Sequence, residues 1–416
     1  MEIKKIPVED IAQFISIVSR AYPGMKLVTE DDLEKTTDRF IDIQENDDSA
    51  SLYGAYQSGK LVGGMQFHDF EMMFHEQKIP VGGIGMVAVD LLHKKEGVAK
   101  ALLEHFHQHY HDRGTYCTAL YPFRPDFYKQ MGYGYGAKMN RYRIQPAHLP
   151  KGTSKAHIVY LTFDDTERIV NFYNKMAIRT HGLMTRTVKG FSRPMKQPGN
   201  HTIGYVKDDE VKGYAGFSFK SNPEDTFLQN DIIVHEMLYE NQEVLSEMLT
   251  FFHSQQDQIR SIYFDTQDEH FHHVVTDPSN GTGHLIPHIY HESNTQGVGL
   301  MYRILDTEAF LKQVSNHNFN NVTVSLNVTI QDSFVPGNAR PVHFHAQNGS
   351  LTITDEKKAD VEIKLDISDF SSVVMGVVPF EALYTYGKAS ISNTAYLHTV
   401  TDLFNARKKP ICLNRF

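Results

Sequence analysis

The chain has 416 residues, 41% hydrophobic and 22% charged, with 28 Gly, 16 Pro and a formal net charge of -9. This composition excludes collagen-like, low-complexity and disordered chains and leaves room for two or three domains with sizeable cores. The acidic balance, with no basic stripe, argues against a nucleic-acid partner; no apolar run approaches the ~20 residues of a membrane helix; and two cysteines, Cys117 and Cys412, are too few for a disulfide framework.

The first residues are charged where a signal peptide would be apolar, so the expected location is cytoplasmic. After a strand at Ile3, apolar residues recur at three- and four-residue spacing over Val8 to Tyr22 and Glu30 to Ile43, predicting two helices with Thr29 or Asp31 as a cap. The period then changes to two. Ala50 to Tyr56, Leu61 to Phe74 and Ile79 to Val89, separated by polar turns at 57–60 and 75–78, predict an antiparallel meander. A polar loop from Asp90 to Glu96 leads to Gly97 and a helix ending near Asp112. A strand from Tyr116 to Tyr121, a short helix from Asp126 to Met131 and a glycine-rich run follow.

Pro146, Pro150 and Gly152 mark a linker and place a boundary near residue 150. The next block echoes the first: Tyr205 to Gly213 repeats the strand, polar turn and strand of Ala55 to Gly63. A helix over Glu240 to Gln256 and a strand over Ser261 to Asp265 follow, as an α/β duplicate requires. Beyond a polar stretch, the third block reads as strands Gly299 to Leu305, Val322 to Ile330, Ser350 to Thr354 and Val361 to Ile367. Its helices are Thr307 to Val314, Ser368 to Met375, Pro379 to Tyr386 and Ala395 to Phe404, an α+β arrangement. The expected domains are 1–150, 151–297 and 298–416.

The segment from Met86 to Leu103 carries the chemistry. A strand ends, a loop with Lys94 and Lys95 turns tightly, Gly97 permits close backbone approach, and a helix follows with Ala99 keeping its start small. Unpaired amides and the positive end of a helix dipole then face one spot, which suits a pyrophosphate. The spacing Lys94-x-x-Gly97-x-Ala99 after a meander resembles the coenzyme A motif of the GNAT acetyltransferase superfamily, with Lys94 where Arg or Gln is usual. Downstream, Phe127 to Gly134 is similar to the Tyr-x-x-x-Gly-Tyr segment of the enhanced intracellular survival (Eis) acetyltransferases, and all three blocks fit that family.

The resemblance implies tandem GNAT domains, the second degenerate, followed by a sterol-carrier-protein-type domain, an overall α/β and α+β fold. It implies acetyl-CoA as co-substrate, no metal, and direct transfer in a ternary complex to a primary amine of aminoglycoside, polyamine or lysine type. The implied cofactor contacts are Val87, Ala88 and Val89 on the strand, Lys94, Lys95, Glu96, Gly97, Val98, Ala99 and Lys100 at the pyrophosphate, and Phe123 with Arg124 after the next strand. Tyr128 takes the place of the general acid. The α-carboxylate of Phe416 takes that of the base, with Arg415 where an acidic neighbour would better greet a cationic amine. A homo-hexamer is also implied.

Other readings are weaker. On one helix, His105/His109 and His107/His111 form two separate faces, so four ligands cannot converge on a metal. Cys117 would be a nucleophile only in a ping-pong scheme; a buried strand cysteine is the simpler reading. The pair Gly281 and Gly283 lacks a preceding basic residue and a following helix, so one catalytic site per chain is expected. The non-enzymatic alternative is an acyl-CoA- or lipid-binding protein.

Overall fold

The computed structural model describes residues 1–221, 228–355 and 358–416. Strand β1 (Glu2–Lys5) precedes helices α1 (Ile11–Ala21) and α2 (Glu30–Asn46) and the meander of β2 (Ala50–Gln57), β3 (Lys60–Phe74) and β4 (Gln77–Val89). One face of α1, with Ile11, Phe14, Ile15 and Val18, is buried, as its 3.6-residue repeat predicts. A capping box between Thr29 and Asp32 starts α2. Helix α3 (Val98–Asp112), β5 (Cys117–Leu120), α4 (Pro125–Gln130) and β6 (Gly134–Tyr135) follow.

Next come β7 (Met139–Ile144), β8 (Ile158–Leu161), α5 (Thr166–Ala177), α6 (Val188–Lys196), β9 (Asn200–Lys207), β10 (Glu210–Ser221), β11 (Asn230–Tyr239), α7 (Gln242–His253) and β12 (Ile259–Thr266). A hairpin of β13 (Leu285–Ile286) and β14 (Tyr290–His291) precedes β15 (Asn294–Gly297). The last stretch holds β16 (Met301–Ile304), α8 (Thr307–Gln313), β17 (Val324–Gln331), β18 (Pro341–Gln347), β19 (Ser350–Ile353), β20 (Val361–Asp366), α9 (Ile367–Val374), α10 (Phe380–Thr385), β21 (Ala389–Ile391) and α11 (Leu397–Leu403).

These elements form sheets in the orders β1-β2-β3-β4-β5-β16-β6, β15-β7-β12-β11-β10-β9-β8 and β19-β18-β17-β20-β21. Two compact units result, residues 1–136 with 300–410 and 414–416, and residues 137–299 with 411–413. Strand β7 pairs with β12 and β15 in the second sheet, and β16 pairs with β5 and β6 in the first. The reason is burial: Met301, Tyr302, Arg303 and Ile304 are all buried, and a strand with no exposed side chain needs ladders on both edges.

The echo between the first two blocks is structural. The β2–β3 turn has Ser58 and Gly59 at φ 50 and 76, and the β9–β10 turn has Asp208 and Asp209 at φ 53 and 61. Two left-handed central residues give the two-residue hairpin whose twist matches its strands.

In the first unit, Arg303 on β16 is wholly buried, pairs with Asp332 at 2.7 Å and donates to the carbonyl of Met131 at the end of α4. A Cβ on Gly132 would lie 1.4 Å from its guanidinium, so glycine is obligatory there. Helix α9 holds the other side of α4 through Lys129, which bonds Asp369 at 2.6 Å and Ser368 at 2.9 Å. The N-terminal sheet and the C-terminal α+β part thus clamp the short helix that carries Tyr128.

Candidate active site

Strands β4 and β5 run parallel, and their ladder joins only Val81–Ile84 to Cys117–Leu120. Past Ile84 they separate. The register of β4 on β3 passes from Gly85 opposite Gln66 to Ala88 opposite Gly64, which leaves Met86 and Val87 facing Met65 as a bulge, with Met86 at φ 51. A bulge bends its strand, and this bend opens a cavity of about 170 Å³ at the split.

Tyr22, just after α1, donates its hydroxyl to the carbonyl of Val87 and so pins the bulge. Tyr128 reaches the cavity from α4, with its ring against Phe123 at 5.4 Å, Phe127 at 5.2 Å and Tyr133 at 5.9 Å. Its side chain has no hydrogen-bond partner among the described residues. Burial, with Tyr22 and Tyr133 nearby, holds its phenol well above the ordinary range, so it carries its proton at any working pH.

The chain end lies in the same cavity. The ring of Phe416 packs on His68 at 5.5 Å, Phe70 at 4.9 Å and Tyr121 at 5.4 Å, and the Tyr121 hydroxyl donates to the Asn414 carbonyl at 3.0 Å. Gly85 faces it at the split, where the absence of a side chain leaves room for the Phe416 main chain.

The loop after β4 is built on Asp90, which accepts from the Leu92 amide at 2.9 Å and pairs with Arg20 at 2.9 Å. Lys95 and Gly97 are left-handed, at φ 68 and 81, and the first turn of α3 has no side-chain cap. A Cβ on Gly97 would meet nothing within 4 Å, so the approach to Gly97, at the uncapped start of this 15-residue helix, is open. Lys94 and Lys95 are exposed. The side chain of Glu96 bonds His93 at 3.0 Å, and Lys100 reaches Glu104 at 3.7 Å.

Not every expected contact offers a side chain. Val98 is buried and would contribute its amide alone, and Arg124 is held by Asp126 through Nε at 3.1 Å. Phe123 is 56% exposed, while Val87 and Ala88 are buried and Val89 pairs with Gly63. Tyr22, Met25, Ile84, Gly85 and Tyr121 line the cavity and are absent from the sequence-based set. Their convergence depends on the bulge and on the α1–α2 turn, neither of which leaves a periodic signal.

Residues 2–136 and residues 178–304 each match a family described as an acetyltransferase (GNAT) domain, and residues 307–413 match a sterol carrier protein domain. The chain belongs to the GNAT acetyltransferases. It carries tandem GNAT domains and a sterol-carrier-type C-terminal domain, and it is an acetyl-CoA-dependent acyltransferase. Solved structures similar to this GNAT protein over 100% of both chains include a GCN5-related N-acetyltransferase from Anabaena variabilis (TM-score 0.81, 17% identity), Eis1 from Mycobacterium abscessus (0.77, 18%) and a GCN5-related N-acetyltransferase from Kribbella flavida (0.75, 17%). No curated protein sequence matches the chain.

The second GNAT domain differs where coenzyme A would bind. Strand β11 runs almost directly into α7, and the Asn241 side chain accepts from the Val244 amide, filling the helix start that α3 leaves open. Gly281 and Gly283 shape a loop closed by Thr282 bonds to Asn280 and Glu292. Cys117 is wholly buried with its thiol pushed up to about 12, which disqualifies it as a nucleophile. His105 and His109 lie against Tyr53 and Phe67, while His107 bonds the Tyr133 hydroxyl at 3.0 Å on another face.

Proposed function

We propose that the cavity at the β4–β5 split transfers acetyl from acetyl-CoA directly to a primary amine in a ternary complex. The observation that carries this reading is that the Tyr128 side chain and the Phe416 main chain share one cavity, beside an uncapped helix start. The amides at Gly97 to Lys100 would hold the pyrophosphate, with Lys94 and Lys95 adding charge, and Val87 to Val89 would line the pantetheine arm. Acetyl-CoA supplies the activated thioester.

The amine must first lose a proton, a role assigned to the Phe416 carboxylate. A carboxylate with a reference pKa of ~3.5 is a poor base for an ammonium near ~10, so it acts through a water or by orienting the amine. A strand amide near Val87 donates to the carbonyl oxygen as charge develops. The C–N bond forms, the C–S bond breaks, and Tyr128 gives its proton to the departing thiolate. Burial keeps Tyr128 protonated until the thiolate forms, and because a thiolate of reference pKa ~8.5 is a weaker base than the phenolate, the transfer is completed by re-protonation of Tyr128 from solvent as coenzyme A leaves. The net products are an amide, a free thiol and one proton.

The acceptor classes in this reading are aminoglycosides, polyamines and lysines, and a hexameric, cytoplasmic enzyme belongs to the same proposal. No helix among the described residues is long and apolar enough to cross a membrane. Free-thiol release from acetyl-CoA with a panel of amines, by the native chain and by Tyr128→Phe, tests it. The substitution keeps the ring and removes only the proton; the expected result is an unchanged acetyl-CoA affinity and a kcat lower by roughly 10²- to 10⁴-fold. A variant retaining more than half the native rate would make Tyr128 a packing residue.

A further inference from the structure

We propose that the second GNAT domain serves the transfer by clamping the chain just before its end, with Arg186 as the positioning residue that fixes the point from which the Phe416 carboxylate is delivered. This rests on the role proposed above for that carboxylate. In the second unit the parallel ladder of β11 and β12 ends at Val234 and Phe264. A bulge at His235 follows, where the register of β10 on β11 passes from Phe217 opposite Val234 to Gly216 opposite Glu236. Strands β4 and β5 follow the same pattern: Glu236 stands two residues beyond the last parallel pair, as Met86 does beyond Ile84. The second domain has therefore kept a split like that of the first, and residues 411–413 are bonded at it.

Three consecutive tail residues are tied there. The Ile411 amide donates to the His181 carbonyl at 3.0 Å, and the Cys412 amide donates to Oε1 of Gln267, just past β12, at 2.6 Å. The Leu413 carbonyl accepts from Arg186 at 2.6 Å. Arg186 is itself locked, for it bonds both Glu236 oxygens at 2.7 and 2.8 Å and lies over the Tyr173 ring at 4.0 Å, while Glu236 also accepts from the Tyr214 hydroxyl. The terminal nitrogen that bonds Glu236 Oε2 is the one that bonds Leu413, so the ion pair sets the direction of the bond to the tail. An ion pair this buried is a costly device for stability by itself, and its use here is direction. Chain ends fray unless tied down. Three residues beyond Leu413 reach at most ~10 Å, so a tail fixed at Leu413 searches little space before Phe416 seats, whereas one released there spends time away from the reacting geometry.

The experiment compares the native chain with Arg186→Lys, which keeps the charge but not the fork, and with Gln267→Met, which leaves the ion pair intact and removes the acceptor of the Cys412 amide. Carboxypeptidase A releases the terminal Phe from a mobile tail, and the free phenylalanine reports tail order without reference to activity. Arg186→Lys is expected to speed that release by at least about 10-fold and to lower kcat by about 10-fold or more, with acetyl-CoA affinity by calorimetry near native. Gln267→Met should move both in the same direction, by about 3-fold or more. A purely structural ion pair would lower the melting temperature and leave kcat and phenylalanine release of the folded protein unchanged. A folded variant in which either quantity stays at the native value overturns the proposal. Should Arg186→Lys fail to fold, Gln267→Met decides, since its ion pair is untouched. Absence of amine turnover by the native chain overturns the transfer reading itself, and phenylalanine release then still decides whether the clamp exists.

Discussion

The Cβ that Gly85 lacks would sit 3.2 Å from the carboxyl carbon of Phe416 and 3.2 Å from Nε2 of His68. The chain end and strand β3 therefore meet over β4 at a point where a hydrogen atom is the only comfortable occupant. Gly85→Ala should displace the tail by a few tenths of an ångström, and Gly85→Val by more. Since a misplacement of ~1 Å can cost ~10²-fold in rate, kcat should fall about 10-fold in the first variant and about 100-fold in the second. Steady-state kinetics with calorimetry of acetyl-CoA binding checks this, the affinity staying near native because the pyrophosphate loop is untouched.

Gly97→Glu tests that loop. A side chain there meets no protein atom but must take a left-handed backbone and carries a charge like that of the phosphates. The backbone strain is roughly 1–2 kcal/mol, a modest fall in Tm, whereas acetyl-CoA affinity should drop by about 100-fold or more. Gly97→Ala, with the strain and without the charge, separates the two effects in the same titration.

A short Gly-Ser extension after Phe416 is expected to abolish transfer and to leave both acetyl-CoA binding and the melting curve near native. Deleting Phe416 should do likewise. Full activity in the extended chain would remove the α-carboxylate from the mechanism, and the comparison needs only thiol release and calorimetry.

Stability should depend on pH through His107. Burial, with Arg303 nearby, holds its pKa well below the ordinary value, while in the unfolded chain it titrates near ~6.5. Below that pH the unfolded state binds a proton that the folded state refuses, so stability falls with acidification by up to ~1.4 kcal/mol per pH unit and is unaffected above it. His107→Gln, which can still bond the Tyr133 hydroxyl, should flatten the fall in Tm between about pH 7.5 and 5 relative to the native chain.

The meander was legible because its turns are local: residues 57–60 and 75–78 carry polar side chains between alternating apolar ones, and both turns lie where expected. The loop before α3 was legible for a similar reason, since Gly97 and the lysines stand next to the helix they introduce. What escaped depended on distant partners. The sequence marks β16 as a strand, but its place between β5 and β6 is set by burial of Arg303 against Asp332 and Met131. Strand β18 leaves a weak signal although Val342, Phe344 and Ala346 alternate inward, because Pro341, His343 and His345 between them resemble a loop. Helix α5 is equally faint in the sequence; its apolar stripe of Ile169, Val170, Phe172 and Tyr173 is broken by polar residues. Tyr22 looked like an ordinary helix-end residue, and its bond to Val87 joins positions with no pattern in common.

The insertion of residues 137–299 ahead of β16 also orders events during synthesis. Every strand of the second sheet lies between Met139 and Gly297 and can pair while the chain is still emerging, whereas β5 must wait for Met301–Ile304 before its outer edge is covered. At ~5–20 residues per second that wait is roughly 10 to 40 s. For that interval the nascent chain presents an uncovered strand edge of the kind that invites misplaced pairing or chaperone capture. The sheet begun first is therefore completed only after the second one.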